Sequence, residues 1–383
     1  MAASPPRRYF DWAATAPPEA GLARYDTAVP FGNPSSPHAE GRAARDCLEE
    51  ARSRCAQALG LKPETVYFSS GGTESNALVI LPFLFRPGAC LYSATEHPSV
   101  RENCRILEKQ GKTVGCIPVE PDGRVSGAGL ERSFEKYRES RFAAIMAVNN
   151  ETGALNDLDA LSGPLRSKKG APLHLHCDLV QAAGKVPVDI PGWDLDSASL
   201  SAHKLGGPRG IGLLYLRKPL ETLYRGGGQE RGIRAGTENI AGALALASCL
   251  ETYTRPDRLE ASFRAAQERM NRLMRALETT GRYTPIPAGR KDAEDGRFSP
   301  YILQAAFDGV PGEVMVRALD QAGFAVSTGS ACSSSRTGRP ILEAMGLDPK
   351  LQLEGIRISQ GWSTTVQDIE ALIQAIGKVL DYL

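Results

Sequence analysis

Between residues 65 and 216 short apolar runs keep returning, at 65–69, 89–93, 113–119, 142–148, 173–177, 195–200 and 211–216, with helical spacing in the stretches between them. Runs this short suit strands buried on both faces. Their alternation with helices suits a mostly parallel sheet, because parallel strands need a crossover long enough to hold a helix. The expected fold class is α/β, with ligands gathering at the carboxyl ends of the strands. Ahead of the first run, Ala43, Ala44, Cys47, Leu48, Ala51, Cys55 and Leu59 recur at helical spacing, and Gly60 supplies a stop. Another helix is expected over 239–253.

Arg255-Pro256-Asp257 reads as a boundary. Beyond it a charged helix is expected over about 259–277, then a polar segment over 284–300 and a strand over 301–307. The closing helix carries Ile369, Leu372, Ile373, Ile376, Val379 and Leu380 on one face, behind an expected capping box at Thr364 and Gln367. This layout predicts a large α/β domain over 17–254 and a smaller α+β domain made of 1–16 and 255–383.

Charge and cysteine usage narrow the function classes. With 45 basic and 44 acidic side chains the net charge is +1, which argues against direct binding of nucleic acid or an anionic membrane. The eight cysteines, Cys47, Cys55, Cys90, Cys104, Cys116, Cys177, Cys249 and Cys332, contain no C-x-x-C pair. Neither a disulfide framework nor a zinc ribbon is indicated. Segment 1–18 has two arginines but no apolar core, and the most apolar stretch, 77–85, is too short to span a bilayer. A cytoplasmic protein with reduced thiols is expected.

Some motifs lead nowhere. Gly111-Lys112-Thr113 looks like the end of a phosphate-binding P-loop, but Ile106 stands where that motif needs glycine. No G-x-G-x-x-G follows an expected strand, which weakens a dinucleotide reading. His174, His176 and Asp178 alternate along one strand and share a face, as metal ligands can. The chain has only three other histidines and no second pair, so no metal is expected.

Chemistry concentrates in three other places. Ser70-Gly-Gly-Thr-Glu-Ser-Asn76 runs from a strand through two glycines into a helix, where free N–H groups and the helix dipole favour an anion; alone, such a turn is equally explained by backbone geometry. Asp178 ends an apolar strand with Gln181 three residues on, and alone would read as a helix cap. Ser201-Ala-His-Lys204 ends another strand before a glycine-rich turn, which makes Lys204 a candidate for a desolvated amine. A lysine for an aldehyde, an acid for a ring nitrogen and a phosphate cradle are together the requirements of pyridoxal phosphate.

Over nearly the whole chain, from Tyr9 to about Ile376, the sequence resembles the cysteine desulfurases, a branch of the class V aminotransferase-like pyridoxal-phosphate enzymes of fold type I. Further matching segments include Asp11-Trp-Ala-Ala-Thr15, Glu96-His97, Val148-Asn-Asn-Glu-Thr-Gly153, Thr237-Glu-Asn239, Ser327-Thr-Gly-Ser-Ala-Cys332 and Ile356-Arg-Ile-Ser359. The resemblance implies that Lys204 would hold the cofactor as a Schiff base and move protons at the substrate carbon. Asp178 would face the pyridine nitrogen, Gln181 the ring-hydroxyl side, and His97 would stack on the ring and exchange a proton with the substrate thiol. Gly72, Thr73, Ser201 and His203 would hold the phosphate, joined by Thr237 from a neighbouring subunit, which implies a homodimer. Asn150, beside the cofactor, and Arg357 would grip the carboxylate of L-cysteine. Cys332 would be the nucleophile that carries sulfur as a persulfide to an acceptor, such as an iron–sulfur scaffold or a thiolation relay. Arg336 and Arg339 are predicted to favour its thiolate.

Alternatives within the resemblance are a selenocysteine lyase, another pyridoxal-phosphate lyase of this class, or a non-catalytic scaffold of the same fold. The departures from the family pattern, notably Trp12, Ala77, Gln360 and segment 285–304, avoid the cofactor constellation.

Overall fold

The computed structural model describes residues 7–18, 29–167, 173–329 and 338–382. After a two-residue strand, β1 (Arg8–Tyr9), come β2 (Val66–Ser69), β3 (Ala89–Ser93), β4 (Val114–Ile117), β5 (Ser140–Ala144), β6 (His174–Asp178), β7 (Ser197–Ser201) and β8 (Gly212–Leu216). The last seven form one sheet in the order β2-β8-β7-β6-β5-β3-β4. Strand β8 is antiparallel to both neighbours, and all other pairings in the sheet are parallel.

Successive strand residues enter opposite cores. Phe68, Leu91, Ala143, Leu175, Cys177 and Leu213 join one apolar cluster, while Tyr67, Cys90, Phe142, Ala144 and Leu214 join the other. Helices α1 (Ala39–Ala58), α5 (Leu158–Ser167) and α6 (Ile240–Tyr253) contribute to the first cluster; α2 (Gly72–Ile80) and α3 (Pro98–Lys109) contribute to the second, and α4 (Gly127–Lys136) to the first. A sheet covered on both faces buries most residues of its central strands, with the early Arg141 of β5 and His174 of β6 half-buried, which is why these strands lack polar alternation.

A separate cluster gathers Phe10, Met270, Leu273, Leu303, Phe307, Leu319, Ile356, Ile358, Leu372 and Ile376. It lies among α7 (Pro256–Glu278), β9 (Tyr283–Ile286), β10 (Ile302–Phe307), α8 (Gly312–Gln321), β11 (Phe324–Ala325), β12 (Gly355–Ser359) and α11 (Val366–Tyr382), with the short helices α9 (Pro340–Ala344) and α10 (Pro349–Glu354) between the last strands. The antiparallel order is β12-β10-β9, and β1 pairs in parallel with β11.

Several expectations need correction. The polar segment 284–300 begins inside β9, a strand with half-buried residues that offers little apolar signal. Helix α7 starts three residues early because Pro256 occupies its first turn, where the missing N–H costs nothing. The capping box of α11 lies one residue later than expected: Thr365 Oγ1 accepts from Asp368 N at 3.1 Å and Asp368 Oδ2 accepts from Thr365 N at 3.0 Å, while Thr364 Oγ1 accepts from Gly361 N. The run 142–148 leaves its ladder at Ala144; Met146 and Val148 stay buried, Val148 in an isolated bridge with Leu155, as the chain turns toward the site.

Among the described residues, no helix is long and apolar enough to cross a membrane.

Candidate active site

Five strands that run the same way, β2, β3, β5, β6 and β7, deliver their carboxyl ends to one cavity of about 280 Å³, lined by Gly72, Thr73, His97, Asn150, Asp178, Gln181, Ser201, His203, Lys204 and, from β12, Arg357. The residues before each strand end pack the sheet, and those just past it are released to the crevice, as open parallel sheets require. All the sequence-selected site residues except two meet here. Thr237 is exposed and does not line the cavity. Cys332 lies outside the described residues, as does Arg336.

Asp178 sits on the floor, 5% exposed. Its Oδ1 accepts from Val180 N at 2.9 Å and its Oδ2 from Asn76 Nδ2 at 2.9 Å. Lys204 Nζ, in the turn after β7, donates to the carbonyl oxygens of Ala13 and Ala14 at 2.6 Å. Gln181 Nε2 donates to the same Ala13 oxygen at 2.8 Å and its Oε1 accepts from buried Lys185 Nζ at 2.9 Å. Burial, with Lys204 and Arg357 nearby, lowers the Lys185 ammonium to about 7.

The phosphate-side geometry follows from α2. Gly71 at its N-cap has no capping side chain, φ is +152°, and an added Cβ would lie 3.5 Å from Ser201 Oγ. A Cβ on Gly72 would meet Val180 Cγ2 at 2.6 Å. The first-turn N–H groups of α2 therefore open toward Ser201, an anion-binding arrangement. His203 Nδ1 lies 3.1 Å from Thr15 Oγ1, and burial, reinforced by Lys204, lowers its imidazole to about 4.

Across the cavity Arg357 pairs with Asp11 Oδ1 at 2.7 Å and donates to Asn150 O at 2.8 Å. Arg357 Nε is buried with no hydrogen-bond partner, a donor that a bound carboxylate would satisfy; Asn150 Oδ1, buried and equally without a partner, is an acceptor and suits a donor group of a ligand. Arg339 is held by four acceptors, while Cys332, whose thiolate it is expected to favour, lies outside the described residues. Its Nη1 donates to Gly355 O at 2.8 Å and Gln352 O at 3.1 Å, and its Nη2 contacts Thr328 O and Glu151 Oε2. That guanidinium ties the backbone ahead of Arg357 to Thr328 and to the Glu151 side chain beside Asn150, rather than standing as a solvated loop charge.

Sequence reasoning missed the Ala13 and Ala14 carbonyls, Asp11, Asn76 and Lys185. The residue types of the Asp11–Thr15 motif point to no role by themselves, and no local signal announces that a backbone oxygen will receive a lysine from far along the chain.

The residues fit pyridoxal phosphate on structural grounds: a buried carboxylate, a lysine at the same cavity, an uncapped glycine helix start and unspent polar atoms opposite. A parallel α/β sheet with this set at its strand ends defines a pyridoxal-phosphate enzyme of fold type I. The chain belongs to the aminotransferase class-V family, whose model matches residues 8–372; the family's cofactor is pyridoxal 5'-phosphate. A cysteine desulfurase IscS from Dictyoglomus turgidum is 33% identical, covering 98% of this chain and 95% of that protein. A cysteine desulfurase from Cereibacter sphaeroides is 36% identical, covering 92% and 89%. Among solved structures, a NifS-like protein matches with a TM-score of 0.89 at 29% identity over 98% of this chain and 100% of the other. A structure described as SspA in complex with cysteine matches with a TM-score of 0.77 at 27% identity over 92% and 99%.

Proposed function

We propose that the protein is a cysteine desulfurase that converts L-cysteine to L-alanine and loads the sulfur on Cys332 as a persulfide. The observation that carries this reading is the convergence of Lys204, Asp178, the α2 start and the Asn150–Arg357 pair on one cavity, in a chain similar over nearly its whole length to enzymes named for that activity.

Lys204 would anchor pyridoxal phosphate, Asp178 would face its ring nitrogen, Gln181 its hydroxyl side, and Gly72, Thr73, Ser201 and His203 its phosphate. The bound cofactor acts as an electron sink that makes the substrate α-carbon acidic and its carbon–sulfur bond labile. Arg357 and Asn150 hold the substrate carboxylate, which aims the α-hydrogen at the Lys204 amine. The amine moves that proton. The Cys332 thiolate then attacks the substrate sulfur: the new sulfur–sulfur bond forms, the carbon–sulfur bond breaks, and its electron pair leaves with the three-carbon fragment that is released as alanine. The persulfide passes to a protein acceptor, an iron–sulfur scaffold or a thiolation relay.

The working unit is a homodimer, in which Thr237, exposed on its own subunit, completes the neighbour's phosphate site. Segments 1–16 and 255–383 form the smaller domain and 17–254 the larger, a division supported by two separate apolar clusters. The seven described cysteines are free thiols, which suits the reducing cytoplasm where we place the protein.

Incubation with L-cysteine and a reductant tests the reading, with alanine and sulfide measured for wild type and Cys332→Ser. Wild type is expected to make both products and Cys332→Ser to release little sulfide. Equal sulfide from the two would sink the persulfide route, and no alanine from either would sink the desulfurase assignment.

A further inference from the structure

The turn that follows β6 carries a second lysine into the interior. Gln181 and Lys185 stand four residues apart in it, on one side of a helix-like turn in which Ala183 N donates to Leu179 O and Val186 N to Ala182 O. Gly184 seats this turn deep, since an added Cβ there would come within 2.6 Å of Leu205 Cδ2 and 2.8 Å of Tyr253 Cβ. Lys185 is 3% exposed. Its Nζ donates to Gln181 Oε1 at 2.9 Å, and the charges that bear on it, Lys204 and Arg357, are both positive.

A buried amine with no carboxylate beside it among the described residues is unfavourable, and an apolar side chain of similar length would pack there without that penalty. The Gln181 amide shows what the lysine does. Gln181 Nε2 donates to Ala13 O at 2.8 Å. A backbone carbonyl cannot donate, so the amide nitrogen must face it and the amide oxygen must face Lys185. An amine offers an N–H in either protonation state, so this contact does not depend on the charge of Lys185. The amide nitrogen has a second proton, and Gln181 lines the cavity. The same Ala13 oxygen receives Lys204 Nζ at 2.6 Å, so one carbonyl sets the reacting amine and the amide donor side by side.

We infer that Lys185 is a positioning residue for the ring hydroxyl of the cofactor: it grips the Gln181 oxygen, so that the second Gln181 N–H is held out to the side of the cavity where that hydroxyl binds. The inference rests on the proposed reading for one point, that Gln181 faces the hydroxyl of pyridoxal phosphate. Lys185 does not itself line the cavity and acts through Gln181 alone. An N–H donor favours the ionised form of the oxygen it serves. Lys185 thereby keeps low the pH at which the bound cofactor changes colour.

The test is a double-variant cycle on the protein loaded with pyridoxal phosphate, in the absence of cysteine. The absorbance of the bound cofactor is titrated against pH for wild type, Lys185→Met, Gln181→Ala and the two combined. The charged or titratable groups that bear on Lys185 are Lys204, Arg357 and His203, and all four proteins keep them. Lys185→Met is expected to raise the midpoint by about one pH unit, the worth of one hydrogen bond. Gln181→Ala should raise it at least as far, and the combined variant should match Gln181→Ala. Cofactor affinity is a second reading, expected to fall about fivefold in Lys185→Met and no further in the combined variant than in Gln181→Ala. An equal shift from Lys185→Met in both backgrounds, the mark of a distant charge, overturns the inference, and so does no shift at all. If Lys185→Met does not fold, Lys185→Gln, which keeps an N–H in the buried position, takes its place: a wild-type midpoint, or a shift that Gln181→Ala abolishes, supports the inference, and an equal shift in both backgrounds overturns it. A chain that bound no pyridoxal phosphate would overturn the cofactor assignment and the inference together. Loss of alanine formation with the cycle intact would defeat only the desulfurase reaction.

Discussion

Glu96, next to His97, is 1% exposed. Its Oε1 takes hydrogen bonds from Met146 N and Ser93 Oγ, both at 2.6 Å, while Oε2 has no partner. Burial, in spite of the Ser93 bond, raises this carboxyl to about 8. Its folded value thus lies above the ordinary carboxylate range, so the native state holds a proton that the unfolded chain has lost. The stability this confers is full at low pH and disappears as pH rises through about 8. Glu96→Gln keeps the acceptor oxygen and removes the titration. Urea unfolding between about pH 6 and about pH 9 is expected to show wild type losing stability relative to the variant; a difference that stays constant with pH would refute the protonated carboxyl. The Glu96-His97 pair was legible in the sequence as a motif. Its protonation was not, since the burial and the contacts with Met146 and Asp178 come from segments distant along the chain.

At the scale of elements, two of the departures from the family pattern turn out to touch. Gln360, just past β12, donates through Nε2 to Ala266 O at 2.8 Å and Pro300 O at 2.9 Å, and its Oε1 accepts from Arg269 Nε at 2.7 Å. It stitches α7 to the divergent segment 285–304. A third departure lies alongside, for the Trp12 ring crosses Gly361 where an added Cβ would come within 2.0 Å. Gln360→Leu leaves the Arg269 Nε and the Pro300 carbonyl without this partner and is expected to cost ~1–3 kcal/mol in urea unfolding, with the absorbance of the bound cofactor unchanged. A neutral or stabilising effect would show that the amide is replaceable. Element types were largely readable because apolar periodicity survives burial, as in α1, α6 and α11. Element ends were less so. Thr364 and Thr365 both offer a hydroxyl, and the choice between them depends on where Asp368 and Arg8 meet, 3.1 Å apart, across the small cluster.

Across the whole molecule, the open question of assembly falls on Thr237. The proposed homodimer predicts a solution mass of twice the 41.1 kDa chain by light scattering, and Thr237→Ala is expected to weaken pyridoxal-phosphate affinity by about tenfold, the worth of one charge-assisted hydrogen bond. A monomer with undiminished cofactor affinity would overturn both. Within one chain the division of labour is clearer. Fold class and the strand-end placement of the phosphate turn, Asp178 and Lys204 could be read along the sequence, because strand ends, glycine turns and residue chemistry are local properties; Arg357 came only with the family resemblance. The partners of those residues could not. Asp11 on Arg357, Ala13 and Ala14 on Lys204 and Arg339 as a brace each depend on segments that only folding brings within hydrogen-bond distance, because a hydrogen bond is a property of two groups in space and not of either group's place along the chain.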